Sequence, residues 1–212
     1  MTENARAVGI LGGTYDPVHI GHLRLAIEAC EALALEHVRL VPLNSPAHRP
    51  PPATPPATRL AMLAAATSWP LVVDDCELVR GGVSYTVDTL QALRARWPQR
   101  PLCLLLGRDA YHGLPSWHRP ERVLELAHIV VAARPGEAGG ALAGLDELVG
   151  NAQSLSVQDL QRKPAGHVYF LDIPLLPIAS SDVRARRAAG RDIRHLVPTA
   201  VHDIILERGL YT

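Results

Sequence analysis

Two histidines, His19 and His22, lie three residues apart in a segment whose composition suits the binding of phosphate. They follow a glycine pair, Gly12 and Gly13, which comes directly after an apolar run. Glycine lets a phosphate approach the backbone closely because it has no Cβ. We expect a helix to begin at the histidines, and the free N–H groups and positive dipole end of a helix start favour an anion. The segment therefore predicts a phosphate site in which two imidazoles add donors and Gly21 keeps the approach open.

Two other interpretations of the histidine pair stay open at this point. Each histidine could be a structural cap of the helix, and an i, i+3 pair could ligate a metal, although no further ligand with matching spacing follows. The segment matches neither the GxGxxG fingerprint of dinucleotide-binding sites nor a Walker A loop, because it has no glycine triplet and no GK[ST] sequence. Hydride transfer and P-loop hydrolysis therefore lose their main support.

A second candidate anion site lies late in the chain, where a short helix is predicted over residues 183–189. Ser180 and Ser181 precede this helix, so their hydroxyls are natural N-caps. Arg184 lies on the first turn, and we expect it to bind phosphate beside the positive end of the helix dipole. Residues 184–194 hold five arginines against one acid, and for the other four arginines a solvated helix face is the simpler interpretation.

Six short apolar runs indicate the elements that must position these residues. Most of the runs are continuous rather than alternating, as is typical of strands that are buried on both faces. They span residues 7–11, 38–43, 71–73, 102–106, 129–133 and 168–173. Helical patterns separate several of them, so the sequence predicts an open α/β fold with a parallel sheet covered by helices. Such sheets bind ligands beyond the carboxyl ends of their strands, directly after each run.

The connections between the runs are helices and two unusual loops. The helical patterns span residues 23–34, 87–93 and 198–209, with Pro198 placed to open the last and Gly209 to end it. The proline-rich segment at 45–58 is predicted to continue neither a strand nor a helix. We interpret it as a polyproline-like surface loop, either a linker within the domain or the edge of a lid that carries His48 and Arg49. Residues 135–144, rich in Gly and Ala, are predicted to form a mobile loop.

Composition excludes several classes of protein. The 212 residues carry 21 Lys and Arg against 21 Asp and Glu, so no net positive field is available to attract nucleic acid or an anionic membrane. The three cysteines, Cys30, Cys76 and Cys103, are far apart and indicate free thiols in a reducing compartment. The sequence has no signal-peptide pattern and no apolar run long enough to span a membrane, so we predict a cytoplasmic protein.

At the glycine–histidine segment the sequence resembles a known family. Residues 12–22, GGTYDPVHIGH, are similar to the signature of the HxGH nucleotidyltransferase superfamily, and specifically of bacterial nicotinate mononucleotide adenylyltransferases, which usually have Phe where this chain has Tyr15. Further motifs resembling that family follow in order: PAHR at 46–49, SYTVDTL at 84–90, GRD at 107–109, Trp117, VAARPG at 131–136 and IASSDVR at 178–184. Arg49 stands where the family usually has Lys, which keeps the charge but changes a point donor into a fork.

The resemblance implies a fold and a reaction. The fold is a Rossmann-like open, mostly parallel sheet with helices on both faces, in a single domain over 1–212 whose C-terminal helical part, about 178–212, packs at the ATP side. The reaction is the transfer of AMP from ATP to the phosphate of nicotinate mononucleotide, which gives nicotinate adenine dinucleotide and pyrophosphate in NAD biosynthesis. The second pKa of a phosphate monoester is about 6, so this nucleophile is largely deprotonated at neutral pH and needs no general base.

This reaction assigns roles to the candidate residues. The predicted catalytic residues are His19, His22 and Arg184, with His22 stabilising charge around the α-phosphate. The predicted ATP-binding residues are Gly12, Gly13, Thr14, Gly21, Gly107, Asp109, Ser180 and Ser181, of which Gly107 and Asp109 lie beside the adenosine ribose by resemblance. The predicted mononucleotide-binding residues are Asp16, His48, Arg49, Thr86, Trp117 and Arg134. By resemblance Trp117 is placed to stack on the pyridinium ring and Arg134 to fork the acceptor phosphate.

Magnesium is the one predicted cofactor. Mg²⁺ keeps several waters and binds mainly through substrate phosphates, so we expect it to bridge ATP oxygens rather than enter an all-protein cage. We predict no full carboxylate metal site, with Asp16 and Asp109 as the exceptions to consider. The predicted partners are ATP and nicotinate mononucleotide, without nucleic acid or membrane, and the sequence leaves a homo-oligomer open.

Three other functions share part of this pattern. Residues 19–22 read HIGH, the box of class I aminoacyl-tRNA synthetases, but the chain is short, lacks a KMSKS-like segment and has no net positive charge for tRNA. Phosphopantetheine adenylyltransferases usually have Thr at the first histidine position and a shorter chain. A catalytically silent nucleotide sensor would need a broken phosphate site, whereas both histidines, Ser181 and Arg184 are present.

Overall fold

Six parallel strands form the main sheet of the computed structural model, which describes residues 6–47, 50–133, 145–154 and 156–212. In chain order the strands are β1 (Val8–Gly13), β2 (His37–Pro42), β3 (Ser45–Pro46), β4 (Leu71–Val73), β5 (Val83–Ser84), β6 (Leu102–Gly107), β7 (His128–Ala133) and β8 (Val168–Asp172). The main sheet has the order β4-β2-β1-β6-β7-β8, and β3 pairs with β5 separately. All of these strand pairs are parallel. The predicted parallel sheet is confirmed, and each of the six apolar runs corresponds to one of its strands.

Helices connect the strands and continue beyond the last one. They are α1 (Ile20–Ala32), α2 (Pro56–Ala66), α3 (Cys76–Arg80), α4 (Thr86–Arg96), α5 (Arg108–His112), α6 (Pro120–Leu126), α7 (Leu145–Val149), α8 (Val157–Arg162), α9 (Ser180–Ala188) and α10 (Thr199–Glu207), with 3-10 turns at Leu114–Ser116 and Gly150–Ala152. The three predicted helical patterns correspond to α1, α4 and α10, although Ala34, with φ of 49°, lies beyond the end of α1. Within the described ranges, no helix combines the length and apolar character needed to cross a membrane.

Alternate residues of β1 point to opposite faces of the sheet and enter two different hydrophobic cores. Leu11 packs in a core that includes residues of α1, α2, α9 and α10. Val8 and Ile10 pack in a second core that includes residues of α4 and α6. Each fully buried side chain of this size contributes about 1.5–3 kcal/mol. Helices therefore cover both faces of the sheet, as predicted.

The strand order reverses at β1. This strand pairs with β2 on one side and with β6 on the other. The chain first adds β2 and β4 on one side of β1, and it then crosses to the other side, where it adds β6, β7 and β8. Connections that leave neighbouring strands in opposite directions open a crevice at the carboxyl ends of those strands. Gly12 and Gly13 end β1 and Gly107 ends β6, so three predicted ATP-binding glycines lie at this crevice.

The proline-rich segment is not wholly irregular, and the prediction that it continues neither a strand nor a helix is wrong at both ends. Ser45 and Pro46 form β3, and α2 begins at Pro56. Proline is tolerated at the first helical position because the N–H that it lacks would have no partner inside the helix. His48 and Arg49, the residues that distinguish a lid edge from a simple linker, lie outside the described residues.

His128 begins β7, at the amino end of the strand, and is fully buried. Its Nε2 lies 2.8 Å from the carbonyl oxygen of Lys163, and the backbone N–H of His167 donates to its Nδ1 at 3.1 Å. These contacts fit a neutral ring with its proton on Nε2. Burial lowers the pKa of His128 to about 4, because the charged ring would lose its hydration.

We expect the stability of the protein to depend on pH through His128. The ordinary pKa of histidine is 6.5, so between pH 6.5 and 4 the unfolded chain binds a proton that the folded chain does not. The free energy of unfolding should therefore fall as the pH drops through this window, by up to about 1.4 kcal/mol per pH unit from this residue. Urea unfolding of His128→Gln between these pH values should show a shallower slope. Val130→Ala, which weakens the same strand without removing a titratable group, should keep the slope; an unchanged slope in His128→Gln would contradict the assignment.

Candidate active site

A cleft of about 780 Å³ lies at the carboxyl ends of β1 and β6, where the strand order reverses. Its walls come from the loop between β1 and α1, the first turn of α1, part of the proline-rich segment, the end of β6 and the segment that leads into α9. Ten of the predicted site residues line it: Thr14, Asp16, His19, Gly21, His22, Gly107, Asp109, Ser180, Ser181 and Arg184. The two predicted anion sites, one early and one late in the chain, therefore share one cleft.

The other seven predicted residues are not among the described residues that line the cleft. Gly12 and Gly13 are the last two residues of β1 rather than part of a loop that follows it. Thr86 and Trp117 are not among the described residues that line the cleft. Three predicted mononucleotide-binding residues fall outside the described part of the chain: His48, Arg49 and Arg134.

The two histidines stack on each other at the start of α1. His19 is the N-cap residue, with a backbone φ of −141°, and is 5% exposed. The ring centroids of His19 and His22 are 3.6 Å apart, and the ring planes are inclined by 26°. The backbone N–H of His19 donates to Nδ1 of His22 at 3.3 Å. Because this Nδ1 is an acceptor, the neutral His22 ring carries its proton on Nε2, which is then a donor.

Both rings are neutral at pH 7. Burial lowers the pKa of His19 to about 4, and burial together with the adjacent His19 ring lowers the pKa of His22 to about 3. The buried Nδ1 of His19 has no hydrogen-bond partner among the described residues, and such orphaned atoms require an explanation such as a bound ligand. Without a ligand the pair is therefore a set of N–H donors and acceptors rather than a cation, and a bound polyanion would raise both pKa values.

Tyr15 fixes the turn between β1 and α1. Its backbone adopts a left-handed φ of 50°, and its buried hydroxyl donates to the carbonyl oxygen of Leu11 at 2.6 Å. Its ring meets the His22 ring edge to face, with centroids 5.0 Å apart. A Cβ at Gly13 would lie 3.1 Å from Cζ of this ring, so the glycine leaves room for it. Phenylalanine, the usual residue of the resembling family, would keep the ring contact but not the hydrogen bond.

A glycine is needed at position 21 because there is no room for a side chain, not because the backbone adopts a positive φ. A Cβ at this position would lie 3.1 Å from Nδ1 of His19 and 3.4 Å from the carbonyl oxygen of Ile178. Any side chain would therefore push the His19 ring or the segment before α9. At Gly12 and Gly107, by contrast, a Cβ would meet no described atom within 4 Å, which leaves room for a ligand at the ends of β1 and β6.

The start of α9 forms the opposite wall of the cleft. Ala179 is the N-cap residue and the helix begins at Ser180, so the prediction that Ser180 and Ser181 cap the helix is wrong. The hydroxyl of Ser180 donates instead to the carbonyl oxygen of Pro17 at 3.0 Å. The helix starts three residues earlier than predicted, which places both serines inside its first turn. There the backbone N–H groups have no partner within the helix and face outward from its end.

Arg184 joins the first turn of α9 to the loop between β1 and α1. Its Nη1 donates to the backbone carbonyl oxygen of Asp16 at 2.7 Å. The backbone N–H of Ile20, the first residue of α1, donates to the carbonyl oxygen of Leu196 at 3.0 Å. A guanidinium has five N–H donors, and among the described residues Arg184 uses only this one. Its other N–H groups are available to bind an anion in the cleft.

The sequence analysis missed Arg59, whose side chain holds the turn between β1 and α1 in place. Arg59 is completely buried on α2. It donates to the carbonyl oxygens of Thr14 at 2.7 Å and of Leu43 at 2.8 Å, and its Nε donates to that of Thr54 at 3.2 Å. Burial lowers the pKa of Arg59, yet the carbonyl oxygens compensate for its lost hydration. The available signal was that Arg59 is the only charged residue of an otherwise apolar helix.

Thr86 and Trp117 lie on segments that precede and follow β6 in the chain and that are adjacent in space. Thr86 is the first residue of α4, and Trp117 follows the 3-10 turn after α5. The rings of their neighbours Tyr85 and His118 are 4.5 Å apart, so the two segments are in contact. Trp117 is partly buried against the second core rather than fully enclosed.

Fold and site together define a class of protein. An open parallel sheet with two helix starts facing one cleft, at the point where the strand order reverses, is the architecture of nucleotide-binding α/β proteins. Comparison with known proteins narrows this class. The cytidylyltransferase-like family matches residues 10–186 of the chain.

Relatives over the whole length give the particular group. A protein of Aeromonas salmonicida named "Probable nicotinate-nucleotide adenylyltransferase" is 47% identical over 96% of both chains. One of Methylococcus capsulatus with the same name is 44% identical over 96% of this chain and 99% of that one. The solved structure of Plasmodium falciparum nicotinic acid mononucleotide adenylyltransferase complexed with NaAD shares the fold, with a TM-score of 0.73, 18% identity and 97% coverage of both chains. The chain belongs to the cytidylyltransferase-like family and, within it, to the nicotinate-nucleotide adenylyltransferases.

Proposed function

We propose that this cleft transfers the adenylyl group of ATP to nicotinate mononucleotide. The products are nicotinate adenine dinucleotide and pyrophosphate, in a step of NAD biosynthesis. The observation that carries the proposal is the meeting of the α1 and α9 starts in one cleft, because it supplies phosphate donors from two sides. The names of relatives up to 47% identical over nearly the full chain support the choice of substrates.

The ATP phosphates bind between the two helix starts. On one side lie the two imidazoles and the backbone of Gly12, Gly13, Thr14 and Gly21, with open space at Gly12. Nε2 of His22 donates to an oxygen of the α-phosphate, because its Nδ1 is already occupied by a backbone N–H. On the other side Arg184 and the first turn of α9 hold the β- and γ-phosphates. Ser180 contributes its backbone N–H there, since its hydroxyl is bonded to Pro17.

The reaction needs positioning and charge stabilisation rather than a base. An oxygen of the mononucleotide phosphate attacks the α-phosphorus, the bond from that phosphorus to the bridging oxygen breaks, and pyrophosphate leaves with the electron pair. The attacking phosphate is already deprotonated at neutral pH. The cleft holds two polyanions in line, and its neutral N–H donors and Arg184 stabilise the charge that develops on the transferred group.

Magnesium fits this site as an ion held by the substrate. Among the described residues that line the cleft, two carry carboxylates, Asp16 and Asp109, and one oxygen of Asp16 already accepts a hydrogen bond from Tyr211. The described residues contain no group of three or more His, Cys, Asp or Glu side chains able to hold a metal. Two carboxylates suit a Mg²⁺ ion that is bound mainly by phosphate oxygens and waters. When bound, this ion would neutralise phosphate charge.

The mononucleotide binds on the β6 side of the cleft. Asp109 and Gly107 lie beside the adenosine ribose, and the acceptor extends past them toward Thr86 and Trp117. Trp117 stacks on the pyridinium ring, while Asp16 and the loop residues complete the acceptor site. The residues meant here are His48, Arg49 and Arg134, which lie outside the described part of the chain. The contact between the Tyr85 and His118 rings supports this arrangement, because it brings the Thr86 and Trp117 segments together.

The chain acts as one nucleotidyltransferase domain over 1–212, with the part from about 178 onward at the ATP side. The packing of α9 and α10 into the same core as α1 supports this organisation. We place the enzyme in the cytoplasm, without a nucleic-acid or membrane partner, in keeping with its zero net charge. A homo-oligomer is compatible with the proposal but not required by it.

A substrate panel tests the proposed function. The protein is incubated with ATP, magnesium and either nicotinate mononucleotide, nicotinamide mononucleotide or phosphopantetheine, and the release of pyrophosphate is followed. We expect fastest release with nicotinate mononucleotide, and none when magnesium is removed by a chelator. Release with nicotinamide mononucleotide or phosphopantetheine but not with nicotinate mononucleotide would refute the substrate assignment. Binding of ATP without any release would favour a silent sensor.

A further inference from the structure

The last residues of the chain fold back onto the loop between β1 and α1. The hydroxyl of Tyr211, the penultimate residue, donates to Oδ1 of Asp16 at 2.6 Å, and the hydroxyl of Thr54 donates to the Tyr211 oxygen at 3.2 Å. Asp16 is 3% exposed and Thr54 is 4% exposed. The backbone of Tyr211 has a left-handed φ of 59°, which is uncommon for a bulky residue and is maintained here by these contacts.

No other described side chain donates to the carboxylate of Asp16. Arg184 and Arg59 are close to this loop, but both donate to backbone carbonyl oxygens, those of Asp16 and Thr14. A buried carboxylate oxygen without a donor is strongly disfavoured, so the Tyr211 hydroxyl decides how this carboxylate is held. Burial and the hydrogen bond to Asp16 raise the pKa of Tyr211, so the hydroxyl keeps its proton and remains a donor at neutral pH.

We propose that Tyr211 is a positioning residue that orients the Asp16 carboxylate in the cleft. One carboxylate oxygen is held by the tyrosine hydroxyl, and the other accepts hydrogen bonds from the hydroxyl groups of the mononucleotide. The inference rests on the proposed function of the cleft. It assigns a role to the C-terminal segment, which contacts the site through the side chain of Tyr211. The packing of α10 beside α2 brings this segment to the cleft.

Tyr211→Phe removes the hydroxyl alone and tests this role. We expect KM for nicotinate mononucleotide to rise about tenfold, the scale of one hydrogen bond to a charged group, while KM for ATP changes less than about twofold. Arg208→Ala is the matched control, because Arg208 ties the same segment to Thr58 through a 2.8 Å hydrogen bond outside the cleft. Both variants should lower the melting temperature, but Arg208→Ala should leave both KM values near those of the unchanged protein.

A double-mutant cycle with Asp16→Ala shows whether Tyr211 acts through Asp16. In the Asp16→Ala background, assayed at raised enzyme concentration, Tyr211→Phe should change KM for the mononucleotide by less than about twofold. An unchanged KM in the single variant Tyr211→Phe, or effects that multiply in the double variant, would overturn the inference. Failure of the proposed function looks different, since the unchanged protein would then release no pyrophosphate from ATP and nicotinate mononucleotide.

Discussion

Replacing His22 with alanine is expected to lower kcat for adenylyl transfer by ~10² to 10³, the loss typical of one preorganised donor to a developing charge. The Nε2–H of His22 is the donor in question, because its Nδ1 accepts the backbone N–H of His19. The effect should fall on kcat more than on KM for ATP, since a donor aimed at the transferred group contributes most when that group carries its greatest charge. Steady-state release of pyrophosphate measures both constants.

Two further variants separate catalysis from structure. His22→Gln keeps an amide N–H near the position of Nε2 and should recover part of the lost kcat. His167→Ala removes a histidine near the amino end of β8, remote from the cleft, and should leave kcat unchanged. A tenfold or smaller loss in His22→Ala would demote the residue to a helix cap that holds His19 in place.

Replacing Arg184 with alanine is expected to lower kcat/KM for ATP by ~10² to 10³, because Arg184 is the one arginine or lysine among the described residues that line the cleft. A change in KM for ATP should account for much of the loss, since Arg184 holds phosphates that are charged before the reaction as well as during it. Isothermal titration with a non-hydrolysable ATP analogue and steady-state kinetics together measure the two contributions.

The controls for Arg184 use the same helix. Arg187→Ala removes an equal charge from α9 at a position that is not among the described residues lining the cleft, and should keep kcat/KM within about threefold. Arg184→Lys keeps the charge but cannot bind phosphate in a bidentate way, so it should recover only part of the activity. Equal losses in Arg184→Ala and Arg187→Ala would mean that the general positive charge of the helix matters, rather than a contact with phosphate.

The sequence predicted the elements of the sheet well because their signal is local. Strands buried on both faces require continuous apolar runs, so β1, β6 and β7 could be located from such runs alone. The start of α9 was misplaced because its first turn, Ser180 to Asp182, is polar and carries no apolar periodicity. Regular structure inside the proline-rich segment was missed for a related reason. Proline marks a helix start as readily as a break, and only the surrounding contacts decide between them.

The hydrogen-bond partners of the site could not be predicted from the sequence. Arg59 is conspicuous as the only charged residue of α2, but nothing in the sequence shows that it holds Thr14, or that Tyr211 holds Asp16, from distant positions in the chain. The protonation state of the histidine pair could not be predicted from the sequence either. Burial lowers the pKa of His19 to about 4, and burial depends on what packs around the ring rather than on its neighbours in sequence.

The sequence by itself determined which side chains are available for phosphate chemistry and which segments become strands, because residue type and local periodicity are properties of the chain. Only the tertiary structure decided that these side chains meet. β8 lies three strands away from β1, and the segment after it returns across the sheet and brings the start of α9 beside the loop before α1. Which hydroxyls and guanidinium nitrogens remain for a substrate then depends on contacts between residues far apart in the chain, and such contacts exist only once the sheet and its helices have packed.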